Sequence, residues 1–79
     1  MFPSLISVKP LKPLTLELEY DNGEKRIIDL SGFCISPFFK QLEDWEYFKK
    51  VRVSGDVVVW PNQQDIAPET LYLDSKRIN

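Results

Sequence analysis

Residues 51–72 read VRVSGDVVVWPNQQDIAPETLY. Val51-Arg52-Val53 is a short strand, Ser54-Gly55-Asp56 turns, and Val57-Val58-Val59-Trp60 returns. The second segment is apolar at every position. Such a run is either an interior strand covered on both faces or an edge that pairs with another chain. Pro61 ends it, because proline has no N–H to donate. The Trp60-Pro61 bond is a candidate for the cis isomer. Residues 62–67 form a loop, and Ala67-Pro68-Glu69 opens a last helical turn, with proline in the first position and an acid at the positive helix end. Leu71 then faces the core. Residues 74–79 are a polar tail whose one large apolar residue is Ile78.

Upstream, Leu5 to Lys9 is a first strand, and Pro10 and Pro13 bracket a break. Leu14 to Tyr20 alternates strictly, with Leu14, Leu16, Leu18 and Tyr20 on one side and Thr15, Glu17 and Glu19 on the other; a period of two means one buried face. Asp21-Asn22-Gly23 is a hairpin signal, and Glu24 to Leu30 returns. Loop length sets the register. A two-residue loop would place Leu16 opposite Asp29. A three-residue loop pairs Leu14 with Leu30, Leu16 with Ile28 and Glu19 with Lys25, so burial and charge both select a type I turn with Gly23 in a bulge. Arg26 then faces Leu18, which implies that this end of the sheet is wet.

Residues 31–35 form a loop. Ser36-Pro37 starts a helix, with the serine as cap and Phe38, Phe39 and Leu42 as its buried side. Asp44 is a second cap, followed by Trp45, Tyr47 and Phe48. The aromatic density has two readings: core packed on the sheet, or an exposed docking patch. The expected class is a small α+β fold, with about five short antiparallel strands beginning as a meander and two or three short helices packed on them.

A chain of 79 residues is expected to form a single domain spanning residues 1–79. Its net charge of −2 argues against a dedicated nucleic-acid binder, which needs a local excess of Lys and Arg. The basic residues are scattered except for Lys49, Lys50 and Arg52, the candidate phosphate contact. The one cysteine, Cys34, can form no internal disulfide, so a cytoplasmic location is expected and a buried, inert thiol. No apolar run approaches the ~18 residues of a membrane span. With no histidine and one cysteine, the usual zinc ligands and the commonest general base are missing, and neither metal nor cofactor is expected.

Ile6-Ser7-Val8, the turn at Asp21 to Gly23, Asp29-Leu30, Phe48 and Val51-Arg52-Val53 occur in one order and lead into W-P-N-x-x-D-I-x-P-E-x-L-Y, residues 60–72. That order resembles the bacterial domain-of-unknown-function 2442 family, over about Leu5 to Tyr72. The resemblance implies a small α+β fold of the kind found in the N-terminal domain of a Nitrosomonas protein in which a helix-turn-helix domain follows. It also implies a bacterial origin and a neighbouring gene for a second small protein, in an arrangement like a toxin–antitoxin pair. No activity comes with it. Residues 1–79 contain no helix-turn-helix signal, so DNA binding through that module is not carried over. Family members often carry Gly after the Asn, where Gln63 stands here. Either that position needs no positive φ or the loop differs.

Trp60, Asn62, Asp65 and Glu69 are the candidate binding residues: an indole, an amide and two carboxylates near one loop, suited to a basic or polar group on a partner. The same residues have architectural uses, since Asn and Asp satisfy their own backbone at turns and Trp60 can roof the core. Asp65 and Glu69 are four apart, but the Ala67-Pro68 step intervenes, and nothing supplies an oxyanion hole or a phosphate-cradling glycine loop. No catalytic residue is assigned and no enzyme is expected. The leading expectation is a protein-interaction module, one component of a toxin–antitoxin-like gene pair, whose partner is another small protein encoded nearby. The alternatives are a nucleic-acid-associated regulatory domain using Lys49, Lys50 and Arg52, and a homodimer formed through an edge strand or the aromatic patch.

Overall fold

A computed structural model of the chain describes residues 2–79. The alternation in residues 14–20 builds the first sheet. Strand β2 (Thr15–Tyr20) buries Leu16, Leu18 and Tyr20 and leaves Thr15, Glu17 and Glu19 half-buried on the other face. It lies between β1 (Leu5–Leu11) and β3 (Lys25–Asp29), antiparallel to both. The register is that of the three-residue loop: Leu16 is opposite Ile28, Leu18 opposite Arg26 and Glu19 opposite Lys25. The ladder ends at Thr15 and Asp29, yet the Leu30 N–H still donates to the Leu14 carbonyl at 2.8 Å. At the turn, the Gly23 N–H donates to the Tyr20 carbonyl at 3.0 Å with Gly23 at φ +89°, a conformation that glycine takes without a Cβ penalty.

Several details differ from the sequence expectation. β1 continues through Pro10 to Leu11, because an edge strand tolerates a residue without an N–H. The cis bond is Lys12-Pro13 and not Trp60-Pro61; after Pro61 the chain reverses through Gln63 at φ +73° instead. Residues 31–35 form a 3₁₀ helix (Ser31–Ile35), with the Ser31 N–H held by the Asp29 carboxylate at 2.8 Å. Ser36 precedes helix α1 (Pro37–Lys40) as expected, but its hydroxyl makes no cap bond; its carbonyl accepts from Phe39 and Lys40. A 3₁₀ turn (Gln41–Glu43) leads to α2 (Trp45–Phe48), which Asp44 does cap by accepting from the Glu46 N–H at 3.1 Å.

The strands form two sheets rather than one. β4 (Arg52–Ser54), β5 (Val57–Val59) and β6 (Asp65–Ile66) make a three-stranded antiparallel sheet with β5 in the middle. The tail supplies β7 (Lys76–Arg77), which pairs with β3 and extends the first sheet to the order β1-β2-β3-β7. The valine run is interior in its own sheet, but only Val58 is fully buried; Val57 and Val59 remain half-buried on the outer face. Helix α3 (Pro68–Leu73) directs Leu71 into the core. Leu16, Leu18 and Ile28 of the first sheet, Val58 and Ile66 of the second, and Leu42 and Phe48 of the helical segment belong to one buried cluster. No helix among the described residues is long and apolar enough to cross a membrane.

Leu18 is fully buried in the central strand of the meander. Leu18→Ala is expected to lower the unfolding free energy by about 2–5 kcal/mol, a large share of the ~5–15 kcal/mol typical of a domain, read as a shift in urea midpoint by circular dichroism.

Candidate functional site

Trp60 follows β5 in the same inward phase as Val58, so its ring enters the core, where it is 1% exposed. Its indole N–H donates to the Phe48 carbonyl at 2.9 Å, which also accepts from the Val51 N–H at 3.2 Å at the end of α2. The rings of Trp60 and Phe48 lie 5.8 Å apart. Beyond Pro61 the chain closes a tight reversal: the Gln63 N–H donates to the Trp60 carbonyl at 2.9 Å, and the Trp60 N–H donates to the Gln64 carbonyl at 3.0 Å. Gln63 occupies the left-handed region at φ +73°. Position 63 therefore does need positive φ, and a side chain with a Cβ accepts a strain of about 1–2 kcal/mol there.

The reversal is fastened by residues that sequence reasoning missed. Gln64 is 1% exposed. Its Oε1 accepts from the Tyr47 hydroxyl at 2.5 Å, and its Nε2 donates to the Phe38 carbonyl at 2.9 Å and to Gln41 Oε1 at 3.2 Å. The Tyr47 hydroxyl accepts in turn from the Asn62 N–H at 2.8 Å, and Asn62 Nδ2 donates to Gln41 Oε1 at 2.8 Å. Carrying the period of two through Gln64-Asp65-Ile66 puts Gln64 on the inner face. The residue type argues the other way, since a glutamine is rarely buried unless its amide is fully bonded.

Asp65 points outward from β6, opposite Val59, which lies opposite Arg52 on its other side. The outer face of the second sheet thus carries a row of cation, valine and carboxylate. With Ser54 and Gln63 these residues border a depression of about 380 Å³. Arg52 and Asp65 line this depression from either side of Val59, along with the edge of buried Trp60; Asn62 turns to Gln41, and Glu69 is exposed on α3, outside the depression. Lys49 lies 3.0 Å from Glu46, and Lys50 is exposed. Among the described residues no group of three His, Cys, Asp or Glu is placed to hold a metal ion.

A second polar cluster overturns the expectation that the Arg26 end of the sheet is wet. Arg26 and Glu24 pair at 2.8 Å with both side chains largely buried. The Arg26 guanidinium lies 4.2 Å over the Tyr72 ring and bonds Ser75 through Nε to Oγ (2.7 Å) and Nη2 to the carbonyl (3.0 Å). The tail is held by this contact and by backbone pairing to β3, while Ile78 stays exposed. Hydrogen bonds from Asn22, Tyr72 and Arg26 hold the Glu24 carboxyl below its usual range. The Tyr20 hydroxyl beside this cluster has no hydrogen-bond partner among the described residues, and burial pushes its pKa up to about 12. Cys34 is buried, with its Sγ 3.7 Å from the Leu30 carbonyl, and burial raises its thiol pKa.

A family model described as "Protein of unknown function (DUF2442)" matches residues 5–77. No curated protein and no solved structure matches the chain.

Tyr47→Phe strands the buried Gln64 amide oxygen and the Asn62 N–H, and is expected to cost about 1–3 kcal/mol. Asp65→Ala, at an exposed position, is expected to change stability by no more than about 0.5 kcal/mol. Chemical denaturation of the two variants side by side checks the contrast. The folded state keeps Tyr20 neutral to about pH 12, against 10.0 for an ordinary tyrosine. That contribution is therefore whole below pH 10 and is lost as the pH rises towards 12. Tyr20→Phe is expected to flatten this decline in an alkaline unfolding series.

Proposed function

We propose, on the premise that the chain belongs to the DUF2442 family of proteins of unknown function, that it is a non-catalytic protein-interaction module. The observation that carries this reading is the outward-facing apolar surface of the first helical turns. Ile35 is 88% exposed and Phe38 is 52% exposed, although they stand within the most aromatic segment of the chain. Phe39 is half-buried behind Phe38, with ring centroids 5.5 Å apart, and Phe33 lies 6.1 Å from Phe39. Leu42 and Phe48 of the same segment are core. The segment thus serves both readings offered by its sequence: its inner side packs, and its outer side presents apolar groups that water disfavours. The proposed partner is a second small protein encoded nearby, in the toxin–antitoxin-like arrangement that the family resemblance implies. Phosphate binding has less support, since Lys49 is engaged by Glu46 and the net charge is −2. Self-association through the same patch is the competing protein–protein reading.

The test is co-expression with the neighbouring gene product and size-exclusion chromatography of the mixture. A single shared peak is expected for the native chain. Two peaks are expected for Ile35→Glu/Phe38→Glu, whose loss of affinity should be at least about 30-fold if these residues anchor the interface. The variant's unfolding midpoint should stay close to that of the native chain, because both side chains are exposed. Separate peaks for the native pair at micromolar concentration would reject the reading.

A further inference from the structure

A second concavity, whose lining includes neither Ile35 nor Phe38, lies where the β1–β2 turn meets the helical segment. Its volume is about 320 Å³, at the low end of the ~300–1,000 Å³ of ligand pockets, so it suits one or two side chains. Leu42 and Phe48 contribute buried apolar surface to it; Pro13, Leu14 and Trp45 complete its apolar lining. Trp45 is half-buried, with its ring 6.1 Å from that of Phe48. Leu14 sits at φ +48°, a region that a bulky side chain rarely takes. It is held there by the Leu30 N–H on its carbonyl at 2.8 Å. Backbone strain of this kind collects at binding sites.

The two charged residues at this pocket are not equivalent. Glu43 is occupied by Lys40, whose Nζ is 3.6 Å away. Lys12 has no carboxylate partner among the described residues; its ammonium rests over the Trp45 ring, 4.9 Å from the centroid. The uncommitted charge beside the apolar lining is therefore positive.

We infer that this pocket takes a segment of a partner protein in which a large apolar side chain stands next to an Asp or Glu. The apolar group displaces water from Leu14, Leu42 and Trp45, and the carboxylate pairs with Lys12 in surroundings drier than bulk solvent. That the occupant is a protein segment rests on the interaction-module reading; the site itself rests on its own residues. The chain carries one such pair in the open, Leu73-Asp74, so a second copy is the competing occupant.

The test is an amide and indole N–H titration of the full ¹⁵N-labelled chain by NMR. The probes are two synthetic peptides, acetyl-Ser-Asp-Leu-Phe-Asp-Ser-amide and the same peptide with lysine for both aspartates. Saturable shifts of the Lys12, Leu14 and Trp45 signals are expected with the acidic peptide. Its affinity should exceed that of the basic peptide by at least about five-fold and weaken with salt. Lys12→Glu should reverse the preference while the rest of the spectrum keeps its native dispersion. The inference is overturned if the Trp45 indole signal does not move up to millimolar peptide or if the two peptides bind equally. It is also overturned if 3-phenylpropionate binds as tightly as the peptide, which would make this a small-molecule site. Concentration-dependent self-association abolished by Asp74→Lys would overturn it in favour of a second copy. Failure here leaves the Ile35 and Phe38 co-elution result standing, and failure of that experiment leaves this titration standing.

Discussion

Two buried hydrogen-bonding side chains at the exit of β5 set the terms for the rest of the second sheet. Trp60 and Gln64 both turn inward, each bringing polar atoms to a place that water does not reach. A buried amide or indole N–H without a partner costs about 1–3 kcal/mol, so the surrounding backbone has to offer acceptors and donors where these atoms fall. The helical segment does so: the Phe48 carbonyl takes the indole, the Tyr47 hydroxyl and Phe38 carbonyl take the Gln64 amide, and Gln41 bridges to Asn62. Helices of four residues have little stability of their own. Here they are fixed by what they satisfy as well as by what they bury.

The first sheet solves a similar problem with charge. Arg26 projects from the face that otherwise carries Leu18 and Ile28 and finds Glu24, Ser75 and the face of Tyr72. Removing one member would leave the other charge poorly paired in a dry place, so the cluster ties the polar tail to the meander more firmly than its exposed Ile78 can. Tyr20 is the exception in this neighbourhood: its ring packs edge-on to Tyr72 at 5.4 Å, while its hydroxyl finds no partner among the described residues.

With the indole and one glutamine absorbed by the core, the residues left at the surface are different from the motif that stands out by eye. Trp60-Pro61-Asn62 shapes a reversal. The exposed chemistry lies in Ile35 and Phe38, in the Arg52–Val59–Asp65 row and in the pocket between Lys12 and Trp45. These are apolar or mixed surfaces, the kind on which the proposed interaction role rests.

Alternation in residues 14–20, the Asp21-Asn22-Gly23 turn and the charge pair of Glu19 with Lys25 determined the meander and its register from the sequence alone, because a period of two and a tight turn are local properties of the chain. The cap at Asp44 and the burial of Leu71 were legible for the same reason. The division into two sheets, the burial of Gln64 and the role of Tyr47 were not. Nor were the dry surroundings of Arg26 or the conformations of Leu14 and Gln63. Each depends on a group far away in sequence: Gln64 on Phe38 and Tyr47, Arg26 on Ser75, β3 on β7. Whether a polar side chain can be buried is decided by its partners, and only the folded chain brings those partners within hydrogen-bond distance.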